Sequence, residues 1–356
     1  MNFLEDLPRS VLYALAFLIP LLGAVLVTPV VARLAREHEL LDHPGGHRIH
    51  GKATPYLGGI AVGGGLMLVG VAVAGANGQL LTVVGAALVL GLVGLRDDVR
   101  TVSPRWRLGF EAAAGVALWT VGVQGGLFDL TIISLPLTVL WVVAVVNAFN
   151  MIDNMDGVAS AVAACSAFGI AAIAGLNGDF LVTSLALAVA GAALGFLREN
   201  FPPASIFLGD AGSMFLGFLI AALTLKLDLP VGDAVPRVLS LVLLAAVPLF
   251  DLTLVVLART MGRRPLMAGG TDHTSHRLRR AGAPDRTVLM ELIVVQAGCS
   301  VLAYTVYRGS TAAVVAIGAV ITVAWLVSLW VLLRMPEPAR EETVPDRVVV
   351  TSPWTT

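Results

Sequence analysis

Charge is the first thing this 356-residue sequence lacks: Asp, Glu, Lys and Arg make up 13% of it, against 57% hydrophobic residues. A soluble domain carries roughly 25% charged residues, so a water-soluble globular chain is excluded and a membrane protein is the class that remains. Cysteine is nearly absent. Cys165 and Cys299 both lie in apolar runs, which leaves neither a disulfide framework nor a metal-ligand spacing and reads them as small buried hydrophobes. No continuous basic stripe exists, which removes nucleic acid as a partner. A small-residue cleavage site is missing after the first apolar run, which is also too long for a signal-peptide core, so a retained helix is expected there. Nor is there an internal repeat of the kind that builds the inverted halves of transporters.

What the sequence has in abundance is long apolar runs. A spanning helix needs about 20 mostly apolar residues. Eleven runs qualify, near 10–33, 57–75, 79–95, 106–123, 132–150, 157–176, 180–197, 211–227, 237–258, 288–307 and 311–334. The expectation is an all-α polytopic membrane protein over residues 1–334, followed by a proline-rich, aperiodic cytoplasmic tail over 335–356 that reads as disordered. With the N-terminus outside and the C-terminus inside, nineteen of the 23 Lys and Arg fall in inside loops. Only Arg9, Lys226, Arg237 and Arg308 fall outside.

That topology sends every chemically rich loop to one face. Asn147–Gly157 (NAFNMIDNMDG) packs Asn147, Asn150, Asp153, Asn154 and Asp156 between two apolar runs. Three-residue steps put Asn147, Asn150 and Asp153 side by side on a helix, and Gly157 offers a turn. Alone this stretch reads as a polar loop capping two helices. It has company in Asp42–Gly59, Gly94–Arg100, Glu199–Ser213 and Arg259–Arg280. Asp97 and Asp98 repel each other and stay ionised only beside cations or a metal. With Asp153, Asp156 and Asp210 they make five carboxylates at one depth, a set that suits a hard divalent cation such as Mg2+, which takes a few carboxylates plus phosphate and water. Asp210 sits in Phe207-Leu-Gly-Asp-Ala-Gly-Ser213, where glycines permit close approach. Arg48, His50 and Lys52 in one loop, and His273, His276 and Arg277 in another, are placed to meet a diphosphate. Phe207 is positioned to stack on a base, or simply to pack. Phosphates and Mg2+ at a membrane surface point to a soluble nucleotide-activated donor meeting a lipid phosphate acceptor.

The segments DHPGGHRIHGKATPYLGG, GLRDDV, NAFNMIDNMDG, NFPPASIFLGDAGS and DHTSHRL, in this order across residues 42–280, resemble those of the polyprenyl-phosphate N-acetylhexosamine-1-phosphate transferases. That family also includes phospho-MurNAc-pentapeptide translocase. The resemblance implies transfer of a sugar 1-phosphate, GlcNAc-1-phosphate in the first instance, from a UDP-N-acetylhexosamine to a polyprenyl phosphate in the plasma membrane. UMP is released, the active site faces the cytoplasm, Mg2+ is required with Mn2+ as a substitute, and a homodimer is admissible. It assigns Asp97 as base or acceptor contact beside Asp98, Asp210 with Asp97 as metal ligands, and Asn150, Asp153 and Asp156 to the nucleotide pocket. His273 and His276 would lie at the donor phosphates. Asn147, Asn200, Phe207, Arg277, Arg48, His50 and Lys52 would be further substrate contacts. A direct single displacement is the preferred chemistry, and a covalent aspartyl intermediate stays open on the residues alone. The spacing in HTSH departs from the three consecutive His of the translocase, which argues against a MurNAc-pentapeptide donor. Two rivals fit less well. A secondary transporter would expect ionisable groups near mid-helix, and a membrane prenyltransferase would expect two Asp-rich helical motifs and no histidine loop.

Overall fold

The computed structural model describes residues 7–42, 53–124, 130–228, 234–267 and 270–335. Arg48, His50 and Lys52, and the tail from 336 onward, lie outside the described residues. In lipid every backbone polar group must be satisfied within the protein, and long apolar runs achieve this as helices. The order is α1 (Arg9–Glu37), β1 (Leu41–Asp42), β2 (Thr54–Pro55), α2 (Gly58–Ala74), α3 (Gly78–Val99), α4 (Pro104–Thr120), α5 (Thr131–Ile152), α6 (Val158–Leu176) and α7 (Phe180–Asn200). It continues with α8 (Gly209–Lys226), α9 (Ala234–Leu244), α10 (Ala246–Met261), α11 (Thr274–Arg280), α12 (Asp285–Arg308) and α13 (Thr311–Leu333).

All eleven apolar runs are helical, and the chain is an all-α multi-pass membrane protein. Among the described residues eight helices are long and apolar enough to cross a bilayer, or nine if α9 and α10 count as one bent span. Helices α2 and α4 have 17 residues each. At 1.5 Å per residue they reach about 25 Å, short of the ~30 Å hydrocarbon core. The run at 237–258 is interrupted: α9 and α10 meet at an 85° bend around Ala245. Pro248, in the first turn of α10, has no N–H to continue the ladder. Gln296 of α12 satisfies the exposed groups, accepting from the Val247 N–H (3.0 Å) and donating to the carbonyls of Leu243 (3.1 Å) and Leu244 (3.3 Å).

Helices α6, α7 and α8 form the centre, with 78, 72 and 83% of their spanning windows buried, whereas α13, at 11%, is peripheral. Small residues bring backbones together, as is usual where lipid gives helices no hydrophobic drive to associate. A Cβ at Gly191 of α7 would stand 2.1 Å from the Phe17 carbonyl of α1, and one at Gly94 of α3 would stand 2.3 Å from the Asp210 carbonyl of α8. The second contact matters for function, because it seats the Asp97–Asp98 end of α3 directly against the start of α8. The β1–β2 pair is antiparallel, Leu41 opposite Pro55. It extends the same end of the bundle: Phe207 N–H donates to Pro55 O (2.8 Å) and Gly58 N–H to Phe207 O (3.0 Å).

Candidate active site

The N-terminus of α8 is the frame of the site. A helix start leaves backbone N–H groups without partners and carries partial positive charge. Here carboxylates from two other segments take those donors. Asp98 accepts from the N–H of Asp210 (2.8 Å) and of Ala211 (3.0 Å), and Asp153, just past α5, accepts from Gly209 N–H. Gly209 has φ +75°, and a Cβ there would lie 2.8 Å from Asp98 Oδ2. Only glycine serves at this position.

Around that frame Asp97 and Asp210 face one another across a guanidinium. Arg107 of α4 donates to Asp97 Oδ2 (2.8 Å), to Asp210 Oδ2 (3.3 Å) and to Asn150 Oδ1 (2.6 Å). Asn150 in turn donates to Asp210 Oδ1 (2.6 Å) and Ser213 Oγ (3.0 Å). The other oxygen of Asp97 accepts from Val102 N–H (2.7 Å), which closes the α3–α4 turn. Arg107 is the residue most central to this cluster that the sequence does not single out. Its signal there is indistinguishable from that of any other arginine in a positively charged loop.

A cavity of about 670 Å3 opens at this end, lined by Asp97, Asp98, Asp153, Asp156 and Asp210 together with Asn154, Asn200, Phe207, His276 and Asp285. That volume is in the range of small-ligand sites. Five carboxylates far apart in the chain therefore share one basin. Burial, with Asp210, Asp98 and Asp156 nearby, pushes the Asp153 carboxyl well above the usual range, although the Gly209 N–H opposes this. Such crowding is relieved by a cation. Among the described residues no three His, Cys, Asp or Glu side chains converge to cage a metal by themselves. An all-oxygen set spread around a cavity, with two carboxylates already bridged by a cationic side chain, fits Mg2+, which is held by one or two carboxylates plus phosphate and water.

The remaining expected residues divide. Asp156 lines the cavity and also accepts from Ala204 N–H (2.8 Å). Phe207 lines it too. Asn200 borders it, but its amide is committed: Oδ1 accepts from Gly157 N–H (3.0 Å) and Nδ2 donates to Ile206 O (2.9 Å), so it fastens α7 to α6 and to the following loop. Asn147 lies one turn deeper, bonded to Glu111 of α4 and to Val143 O (2.8 Å), away from the cavity lining.

In the histidine loop, His276 lines the cavity and His273 does not. The His276 imidazole is pushed down to about 4, first by burial and then by His273, Arg279 and Arg280, with Asp251 opposing. It is therefore neutral at pH 7. Ser275 bonds His276 Nδ1 (3.4 Å) and donates to Asn154, tying the loop to the α5–α6 connection. Arg277 is 1% exposed and donates from Nε to Asp272 O (2.9 Å) and from Nη1 to Leu332 O (2.7 Å). It anchors the loop to the end of α13 and is not brought to the cavity. Asp272 is held by Arg259 (3.3 Å) and Arg264 (2.8 Å).

Comparison with known proteins bears on this geometry. The description "Glycosyl transferase family 4" matches residues 80–228, which contain Asp97, Asp98, Asn150, Asp153, Asp156 and Asp210. The chain is 30% identical over 298 residues to the "Probable undecaprenyl-phosphate N-acetylglucosaminyl 1-phosphate transferase" of Bacillus subtilis, covering 81% of this chain and 83% of that protein. It is 28% identical over 303 residues to the decaprenyl-phosphate N-acetylglucosaminephosphotransferase of Mycobacterium leprae, 74% of this chain and 76% of that one. A phospho-N-acetylmuramoyl-pentapeptide-transferase of Shouchella clausii is 33% identical over 198 residues, 48% of this chain and 60% of its own length.

Proposed function

Because the chain belongs to glycosyl transferase family 4, we propose that it transfers GlcNAc-1-phosphate from UDP-GlcNAc to a polyprenyl phosphate. The products are a polyprenyl-diphosphate sugar and UMP, and the reaction initiates a cell-envelope glycopolymer. The observation that carries this reading is the single cavity ringed by Asp97, Asp98, Asp153, Asp156 and Asp210 at one end of a bundle of apolar helices. There a lipid phosphate and a soluble nucleotide donor can meet. The distribution of Lys and Arg supports eleven crossings, counting the short α2 and α4, with the N-terminus outside and the cavity on the cytoplasmic face of the plasma membrane.

In the reaction, Asp97 deprotonates or orients the polyprenyl phosphate, whose oxygen attacks the sugar-proximal phosphorus of the donor. The bond from that phosphorus to the bridging oxygen breaks, and the oxygen leaves on UMP. Asp210 and Asp97 would hold Mg2+, which when bound supplies positive charge to the donor diphosphate and the leaving phosphate. Asn150 keeps Asp210 oriented from one side, and Asp98 fixes the backbone of Asp210 from the other. Arg107, once released from the two carboxylates, has a guanidinium free for a phosphate. His276, neutral and facing the cavity, offers a hydrogen bond without adding charge. Phe207 and Asp156 border the space for the nucleoside.

Similarity to a phospho-N-acetylmuramoyl-pentapeptide-transferase favours a second reading with a MurNAc-pentapeptide donor. It runs over a shorter stretch, and the His-Thr-Ser-His spacing argues against it. Purified protein incubated with Mg2+, undecaprenyl phosphate and a panel of UDP-GlcNAc, UDP-GalNAc and UDP-MurNAc-pentapeptide tests both. UMP release with UDP-GlcNAc supports the proposal, and release with the pentapeptide donor alone replaces it.

A further inference from the structure

Outside the cavity a second buried carboxylate group, Asp251, 1% exposed, lies in the part of α10 that follows the 85° bend. Both of its oxygens are spent on the start of α11. Oδ2 meets His273 Nδ1 at 2.7 Å, and Oδ1 accepts from Thr274 N–H at 2.7 Å. His273 is the N-cap of α11, and its ring stands edge-on to that of His276 with centroids 5.7 Å apart. His276 is one residue of α11 that reaches the cavity. A buried charge is costly. If docking α11 were the whole task, an uncharged Asn or Ser would cap the helix about as well. What a carboxylate adds is a fixed acceptor for an imidazole N–H: it commits His273 to the Nδ1-protonated form.

We propose that Asp251 is a positioning residue for the transfer reaction, holding the His273 imidazole by Nδ1 and thereby setting how His276 faces the cavity. This rests on the transferase reading above. The charged groups that face the histidine pair from the surrounding elements are Arg279 and Arg280 of α11 and Asp285 of α12. Asp285 binds Arg279 at 2.6 Å, and both border the cavity with His276. Asp251 is thus the acidic group in direct contact with the pair.

The test is Asp251→Asn, with Asp251→Glu beside it. Asparagine preserves size and can still accept from Thr274 N–H, but its amide would donate to His273 Nδ1 and reverse the tautomer. UMP release at saturating acceptor should show kcat down at least tenfold with KM for UDP-GlcNAc within twofold. Thermal unfolding should stay near wild type, and glutamate should recover part of the loss. An unchanged kcat, or a fall that merely tracks the fraction of folded protein, overturns the proposal. Should the variants fail to fold, 15N-histidine spectra of the wild-type protein decide: an Nδ1-protonated His273 supports the assignment, and an Nε2-protonated His273 overturns it. An inactive wild type would remove the transferase reading and leave the spectroscopic result standing.

Discussion

Arg107 bridges Asp97 and Asp210, the two carboxylates proposed to hold Mg2+, and removing it makes a quantitative prediction. The Arg107 side chain is 18% exposed, Asp97 8% and Asp210 33%, so these charges interact largely out of water. Hydrogen bonds to charged groups contribute about 1.5–3 kcal/mol each. The contact to Asp97 at 2.8 Å takes that value, while the one to Asp210, at 3.3 Å and a third exposed, is discounted. Arg107→Met should therefore destabilise the cation-free protein by about 3 kcal/mol, because Asp97 and Asp210 are left facing one another unpaired. At about 2 °C per kcal/mol for a large domain, the midpoint in EDTA should fall by roughly 6 °C. Mg2+ should then recover more stability in the variant than in the wild type, since it has no guanidinium to displace. Saturation at a hundred times Kd contributes about 2.7 kcal/mol. Thermal unfolding in detergent or nanodiscs, with EDTA and with Mg2+, measures both quantities. Equal midpoints in EDTA, or an equal Mg2+ shift in both proteins, would refute the reasoning.

Other perturbations follow from the same geometry. Burial and the neighbouring Asp210, Asp98 and Asp156 push the Asp153 carboxyl up, so Asp153→Asn, which can still accept from Gly209 N–H, should leave the unfolding midpoint in EDTA at pH 7 at or above wild type while raising KM for the UDP-sugar roughly tenfold. His276 titrates at about 4 when folded against 6.5 for the free side chain, so between these values the unfolded chain binds the extra proton. Stability should fall as pH drops from 6.5 to 4, by up to about 3 kcal/mol, and midpoint-against-pH curves should flatten over that window in His276→Asn. Gln296→Leu strands the Val247 N–H and the carbonyls of Leu243 and Leu244 in an apolar setting, and should cost about 1–2 kcal/mol in thermal unfolding.

Much of this architecture was legible in advance because lipid imposes a simple rule: apolar runs become helices, and polar loops collect where chemistry happens. The five acidic positions and His276 stand out in the polar loops that the charge bias sends to one face and in the segments that carry the family resemblance, and they share a cavity. What escaped were polar residues inside apolar runs. Asp251 in AVPLFDLTLVV and Glu111 in the run at 106–123 carry a signal, since a lone acid at that depth needs a partner, but the partner is named only by the fold. Pro248 marked the break before α10, yet Pro20 and Pro29 sit in α1 without interrupting it, so proline by itself could not decide the matter. Arg277 looked like a phosphate ligand from its neighbours. The turn of α11 buries it instead, toward Leu332, a direction that linear spacing does not contain.

The central claim is that the carboxylate at the head of α8 does chemistry on a nucleotide-activated sugar. Asp210→Asn keeps the shape of the side chain and removes its charge, so UMP release from UDP-GlcNAc and undecaprenyl phosphate should fall by at least roughly 10²-fold with the fold intact by thermal unfolding. Wild-type turnover from that variant would contradict the account.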